Sequence, residues 1–114
     1  MKVVDVWQRY FAADCTYSGV VRRAASVTLT ATSDAGTIRY AAAVSFFPHR
    51  DETDFGVSYD AYAARELYAA PGRRSKKREA ALLERDLRPA VDALAAKLGG
   101  KVFWDQPLRD ARLG

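Results

Sequence analysis

The sequence predicts an α+β fold: an antiparallel three- to four-stranded sheet with an N-terminal helix and a long, Pro-kinked C-terminal helix packed on one face. Three observations lead to this fold class. Apolar residues recur at helical spacing near the N-terminus, alternate with polar ones in the middle of the chain, and return to helical spacing near the C-terminus. The 114 residues are an ordinary length for one domain, so residues 1–114 are expected to form a single one.

The first predicted element is a short amphipathic helix over residues 3–12. Its apolar residues fall on one helical face, with polar residues elsewhere: Val3, Val4, Trp7, Tyr10 and Phe11. β-Branched valines disfavour the first turn of such a helix, because their side chains have little χ1 freedom.

A β-hairpin is predicted next. Alternating residues mark one strand from Val21 to Ala31 and another from Ile38 to Phe47, since period two places every second side chain on the same face. Between them, Ser33-Asp34-Ala35-Gly36 favours a tight turn. The polar residues 48–54 are expected to form a loop.

The following segment leaves two interpretations open. Phe55, Val57 and Tyr59 alternate and predict a third strand. Asp60 could then cap a short helix over residues 61–70, which are rich in helix-forming residues. Alternatively, the third strand continues to about Ala63.

The C-terminal helix is predicted from its apolar stripe, after Pro71-Gly72 and with Ser75 as N-cap. Pro89 lies inside the stripe, so we expect a kink or a restart near Arg88. Gly99-Gly100 ends the helix, a short edge strand is predicted over residues 101–105, and an irregular tail from Pro107. The stripe consists of Ala80, Leu83, Leu87, Val91, Leu94 and Leu98.

The densest chemical feature is a basic cluster at the start of this helix. A helix N-terminus presents free N–H groups and the positive end of the helix dipole, and both attract anions. The cluster therefore predicts a nucleic-acid or anion-binding site, which Arg85 and Arg88 would extend along the helix. The cluster consists of Arg73, Arg74, Lys76, Lys77 and Arg78.

Ser75-Lys76-Lys77, followed by Ala80-Ala81, resembles the start of the second helix of the double-stranded RNA-binding domain. The predicted order of helix, three strands and helix is also similar to that family. The resemblance implies that Lys76 and Lys77 contact phosphates across a major groove. The sequence departs from the family in the position of His49, which follows the second strand instead of lying between the first two.

Other chemistry has little support in the sequence. The single cysteine, Cys15, rules out an intramolecular disulfide and is expected to be a packing residue. The loop from His49 to Asp54 is the one place where an imidazole meets carboxylates, and a solvated loop is the simpler interpretation. We therefore predict no catalytic residue, metal or cofactor, and the chain lacks the apolar run of a signal or membrane span, which favours a cytoplasmic protein.

Net charge of +4 and the basic cluster favour a non-enzymatic module that binds nucleic acid or another polyanion, including an acidic protein. The alternative is a protein-interaction or oligomerisation module, such as a homodimer, built on exposed aromatic residues, an edge strand or the long helix. Tyrosine and tryptophan are enriched at such interfaces. The aromatic residues concerned are Tyr59, Tyr62, Tyr68, Phe103 and Trp104.

Overall fold

The computed structural model describes residues 2–15, 22–48 and 61–108. Five strands and one helix follow each other within these ranges: β1 Lys2–Cys15, β2 Arg22–Asp34, β3 Thr37–Pro48, β4 Ala61–Pro71, then the helix, then β5 Gly100–Leu108. The helix, α1, spans 22 residues, 76–97, and includes a π-helical turn at Leu82–Asp86.

The strands form one antiparallel sheet in the order β4-β3-β2-β1-β5. The chain runs through β1 to β4 as a meander and then returns through α1 to the opposite edge, where β5 pairs with β1. Helix α1 therefore packs across one face of the sheet. Within the described ranges, the sheet carries no second helix on its other face.

The core lies between α1 and this face. The alternation predicted for β2 and β3 places every second residue of each strand under the helix. The largest fully buried side chains are Tyr40, Phe46, Val27, Val44, Val91 and Cys15.

The predicted hairpin is confirmed. β2 and β3 pair in continuous register from Arg23↔Pro48 to Asp34↔Thr37, around a two-residue turn at Ala35 and Gly36. Both turn residues have positive φ, 51° for Ala35 and 83° for Gly36, as the twist of a two-residue hairpin requires.

The predicted N-terminal helix is wrong, because residues 2–15 form β1. A register shift between Val3 and Asp5 lets Val4 and Trp7 both pack against the core. Tyr10 packs instead with Phe47 on the opposite face. The bulge and the two-sided burial together produce apolar spacings of three and four residues, which imitate a helix.

The helix predicted over residues 61–70 is also wrong, because β4 runs to Pro71, well past Ala63, and pairs with β3 from Thr37 to Phe46. Its helix-forming composition is overridden by pairing with a neighbouring strand, since propensity is a weak preference compared with tertiary contacts. A second register shift, opposite Tyr40 and Ala41, leaves Leu67 unpaired next to Tyr68. The third strand predicted from Phe55 to Tyr59 lies outside the described residues.

Helix α1 begins as predicted, with Ser75 as N-cap: its Oγ accepts a hydrogen bond from the Arg78 N–H at 3.3 Å. The predicted Pro kink is wrong. A π-helical turn over Leu82–Asp86 ends three residues before Pro89, with the Leu87 N–H donating to the Leu82 carbonyl. The helix then continues through Pro89 to Lys97 as part of one 22-residue helix.

The sheet thus has five strands where three or four were predicted, and it begins with a strand where a helix was predicted. The element order on which the resemblance to the double-stranded RNA-binding domain rested is therefore not present. Residues 101–105, predicted as an edge strand, lie within β5.

Gly100 fixes how β5 leaves the helix. A Cβ at this position would lie 2.7 Å from the Phe46 ring and 2.9 Å from the Asp14 carbonyl oxygen. The strand therefore approaches β1 and the core more closely than a side chain would permit. No helix in the described part of the chain has the length and apolar character needed to cross a membrane.

Candidate functional site

The basic cluster lies where the last residues after β4 enter α1, beside the β2–β3 turn. All five cationic residues of the cluster are exposed: Arg73, Arg74, Lys76, Lys77 and Arg78. The Gly72 N–H donates to the Gly36 carbonyl at 2.8 Å and so ties the entry to the helix to the hairpin. Gly72 has φ 118°, a conformation that an L side chain rarely adopts.

Arg74 forms ion pairs with two acidic residues of the chain. Its Nη2 donates to Asp5 Oδ2 at 2.8 Å and to Glu79 Oε1 at 2.7 Å, and its Nε donates to Glu79 Oε2 at 3.0 Å. The paired contact with Glu79 is a bidentate arginine–carboxylate interaction, which is geometrically specific. The guanidinium of Arg74 lowers the pKa of Glu79, and Glu79 in turn raises the pKa of Arg74.

Tyr40 extends this network into the core. Its side chain is only 1% exposed, and its hydroxyl donates to Glu79 Oε2 at 2.9 Å. The same hydroxyl accepts a hydrogen bond from the Ser75 N–H at 3.3 Å. Burial raises the pKa of Tyr40, so the group stays protonated and remains a donor at neutral pH. The start of α1 is therefore hydrogen-bonded to the middle of the sheet.

Arg78 lies against an aromatic ring. Its guanidinium carbon is 4.2 Å from the centroid of the Tyr68 ring, within the range of a cation–π contact. The contact holds the Arg78 side chain over β4, and the guanidinium remains charged there.

The remaining three cations of the cluster have no such contacts. Within the described residues, Arg73, Lys76 and Lys77 have neither a hydrogen-bond nor an ion-pair partner on their side chains. Lys76 and Lys77 also belong to the first helical turn, where backbone N–H groups lack partners inside the helix. The cluster thus divides into Arg74, which is paired, Arg78, which is stacked, and three cations available to a ligand.

A cavity of about 430 Å³ that is open to solvent adjoins these residues. Its lining combines apolar, polar and cationic groups: Val4, Ser33, Gly36, Ile38, Gly72, Arg73 and Arg74. Arg73 and Arg74 are members of both the basic cluster and the cavity wall.

A second open groove, of about 480 Å³, lies at the other end of α1 against β5. Its charged residues balance: Arg88 and Lys101 face Asp92 and Asp105. The Trp104 Nε1–H donates to Asp92 Oδ1 at 2.9 Å, and the Arg88 guanidinium lies 5.4 Å from a Trp104 ring centroid. The predicted extension of the basic surface through Arg85 and Arg88 is thus interrupted, since Arg85 pairs with Asp86 at 3.1 Å.

Among the aromatic residues proposed for an interface, Tyr62 is 62% exposed and lies on β4. Tyr68 and Trp104 are half-buried and pack against the core, while Phe103 is half-buried on β5. Tyr59 and the loop from His49 to Asp54 lie outside the described residues.

Cys15 is fully buried, and its thiol lies 3.6 Å from the Leu98 carbonyl oxygen, to which it donates. The structure therefore places it as a packing residue. Over the described ranges, no three His, Cys, Asp or Glu side chains come together as a metal-binding group would require.

The sequence predicted the cluster, but it did not predict which residues pair with some of its cations and leave the others unpaired. Asp5 and Tyr40 come from β1 and β3, far from the cluster along the chain. The one nearby residue that could have indicated this pairing is Glu79, which directly follows the cluster and lies four residues after the N-cap Ser75. No protein family, curated protein or solved structure matches this chain.

Proposed function

We propose that the protein is a non-enzymatic binding module for nucleic acid or a similar polyanion, which it contacts through the basic cluster at the start of α1. The observation that carries the proposal is the presence of three exposed cations whose side chains form no ion pair or hydrogen bond in the described chain, Arg73, Lys76 and Lys77, although the charge of Lys76 contributes to the lowered pKa of Glu79. Each can contact a phosphate without first breaking an internal ion pair.

The arrangement also has an energetic argument. Cations in the first turn of a helix oppose the helix dipole, at a cost of about 0.3–1 kcal/mol each when exposed. Glu79 is the one acidic residue of that turn, and it is engaged by Arg74 and Tyr40. A bound anion would offset the unfavourable placement of Lys76 and Lys77 and would meet the free N–H groups of the same turn.

The second candidate is a protein-interaction or oligomerisation module. It is favoured by exposed apolar side chains: Val3 is 57% exposed and Val6 50%, both on β1, and Tyr62 is 62% exposed. Edge pairing of strands is opposed by other features. β4 carries Arg65 and Glu66 at its centre, and β5 contains Pro107 and an irregularity in its pairing with β1.

The proposal is tested by titrating the protein against labelled double-stranded RNA, double-stranded DNA and single-stranded RNA, at low and at physiological salt. Contacts with phosphates release counterions, so affinity should fall linearly with salt on logarithmic axes. The double variant Lys76→Gln/Lys77→Gln should reduce the absolute salt slope by about 2.

The matched control is Lys97→Gln/Lys101→Gln, which removes two exposed cations at the other end of α1. This control should leave the salt slope within about 0.5 of the wild-type value, because the slope counts phosphates contacted directly. Equal effects of the two double variants would show that the cluster acts only through the overall positive charge of the protein and not as a specific contact site. A salt-insensitive dimer that binds none of the polymers would favour the second candidate.

A further inference from the structure

The cavity beside the basic cluster is open to solvent and has the volume of a small-molecule site. Its volume, about 430 Å³, falls within the range of about 300–1,000 Å³ that ligand pockets occupy. Val4 and Ile38 provide apolar wall, and Ser33 provides a polar residue opposite Ile38 in the β2–β3 register.

The two arginines of the cavity offer charge in different ways. Arg74 is fixed by Asp5 and Glu79, so two carboxylates already match its charge. Arg73 has no acidic partner in the described chain, so its guanidinium can form a bidentate contact with an incoming anion. The anion-binding capacity of the cavity therefore depends on Arg73.

The backbone leaves room for a ligand on the glycine side of the cavity. A Cβ built on Gly36 or Gly72 would meet no atom within 4 Å. Both residues have positive φ, so they shape the turn while adding no side chain to the opening.

We propose that this cavity holds a terminal phosphate monoester together with the nucleoside that carries it. A phosphate inside a strand has one negative charge and chain on both sides, which suits the open surface of Lys76 and Lys77. A terminal phosphate carries a charge of about −1.5 to −2 and has chain on one side only, which suits a cavity with one free arginine and an apolar wall. The inference rests on the proposed polyanion-binding function and names the part of the ligand that enters the cavity.

The test compares one single-stranded oligonucleotide in three forms: phosphorylated at its 5′ end, phosphorylated at its 3′ end, and unphosphorylated. One phosphorylated form should bind about tenfold more tightly than the unphosphorylated strand, as expected for one added charge-assisted contact. A free nucleoside monophosphate is added as a competitor. Displacement of the phosphorylated strand by the monophosphate shows that a free nucleotide also binds in the cavity, and no displacement shows that the ligand is the end of a strand.

Two variants locate the preference in the cavity. Arg73→Gln removes the phosphate contact, and Ser33→Tyr fills the cavity without changing charge; each should abolish the preference for the phosphorylated strand. Lys97→Gln, at the far end of α1, should keep it. Circular dichroism and thermal unfolding confirm that each variant is folded before its affinity ratio is interpreted.

Equal affinity of all three strands for the wild-type protein would overturn the inference and leave the proposed function standing. A preference that persists in both folded cavity variants would also overturn it, since the terminal phosphate would then bind elsewhere. Failure of all three strands, together with the polymers, to bind would overturn the inference and the proposed function together.

Discussion

The two ends of α1 are attached to the sheet by different kinds of contact. At the C-terminal end, Gly100 lets β5 approach the Phe46 ring and the Asp14 backbone, and the charged side chains of the adjoining groove balance. At the N-terminal end, hydrogen bonds from Tyr40 and Arg74 converge on Glu79. One end is fixed by close packing and the other by a polar network.

This difference explains how a basic segment can begin a helix without loosening it. The polar network uses Arg74 and leaves Arg73, Lys76 and Lys77 without a hydrogen-bond or ion-pair partner in the described chain. Stability and ligand binding therefore rest on different side chains of the same short segment. The comparison yields four predictions, from the largest expected effect on stability to the smallest.

Gly100→Ala should lower the free energy of unfolding by about 1–3 kcal/mol, in the range of overpacked cores. A Cβ there would meet the Phe46 ring at 2.7 Å and the Asp14 carbonyl oxygen at 2.9 Å, and the carbonyl belongs to a paired strand that cannot easily move. Urea unfolding measures the loss. Adding Phe46→Leu should make the combined loss smaller than the sum of the two, and strict additivity would show that the ring is not the obstacle.

Tyr40→Phe should cost about 1–2 kcal/mol, because it removes a buried hydroxyl that serves both Glu79 and the Ser75 N–H. Tyr68→Phe is the matched control. The Tyr68 hydroxyl makes no hydrogen bond within the described chain, although its ring lies 6.3 Å from that of Tyr40. Similar losses for both variants in thermal or urea unfolding would contradict the polar network.

The stability that the polar network at the N-terminal end of α1 contributes should also depend on pH. Arg74 holds the pKa of Glu79 below its ordinary value of 4.5, so the ionised form is favoured in the folded state. This contribution is present above pH 4.5 and is lost as pH falls through the lowered folded-state pKa.

The free energy of unfolding is measured from neutral to acid pH. Wild type should be more stable than Glu79→Gln at neutral pH, and this difference should shrink below about pH 4.5. Glu84→Gln, an exposed acid on the same helix, serves as control and should run parallel to wild type. A stability difference between wild type and Glu79→Gln that is constant across the range would contradict the ion pair with Arg74.

The smallest effect is expected for the exposed cations. Lys76→Gln/Lys77→Gln should raise the free energy of unfolding slightly, by about 0.6 kcal/mol, because it removes two exposed cations that each oppose the helix dipole by about 0.3 kcal/mol, while it weakens polyanion binding. The measurement combines urea unfolding with anisotropy titration of the same preparation. A large loss of stability would mean that these lysines have a structural role.

The parts of the fold that sequence reasoning predicted are those with one simple period. β2 and β3 alternate without interruption over their full pairing, and Ser75 gives α1 a clear start. β1 was predicted as a helix because a register shift near Val3 breaks its period of two, and β4 because its residues are rich in helix formers. Residues from a distant strand decide whether such a segment is strand or helix, and periodicity within the segment cannot supply that information.

The candidate site divides in the same way. Its cations are contiguous in sequence, so Arg73, Lys76 and Lys77 were found directly. Asp5 and Tyr40 reach the site only through the order of the sheet strands and the placement of α1 across them. The sequence could therefore predict that a charged surface exists, whereas the separation of structural from available cations required the fold.

The most direct test of this separation is backbone amide chemical-shift mapping of the isotope-labelled protein during titration with a short nucleic acid. The account predicts that the perturbed amides cluster at residues 72–79 and the adjoining β2–β3 turn, while those of residues 97–105 stay unchanged. Perturbations concentrated on β5 or on the sheet face opposite α1, with residues 73–77 unaffected, would contradict it.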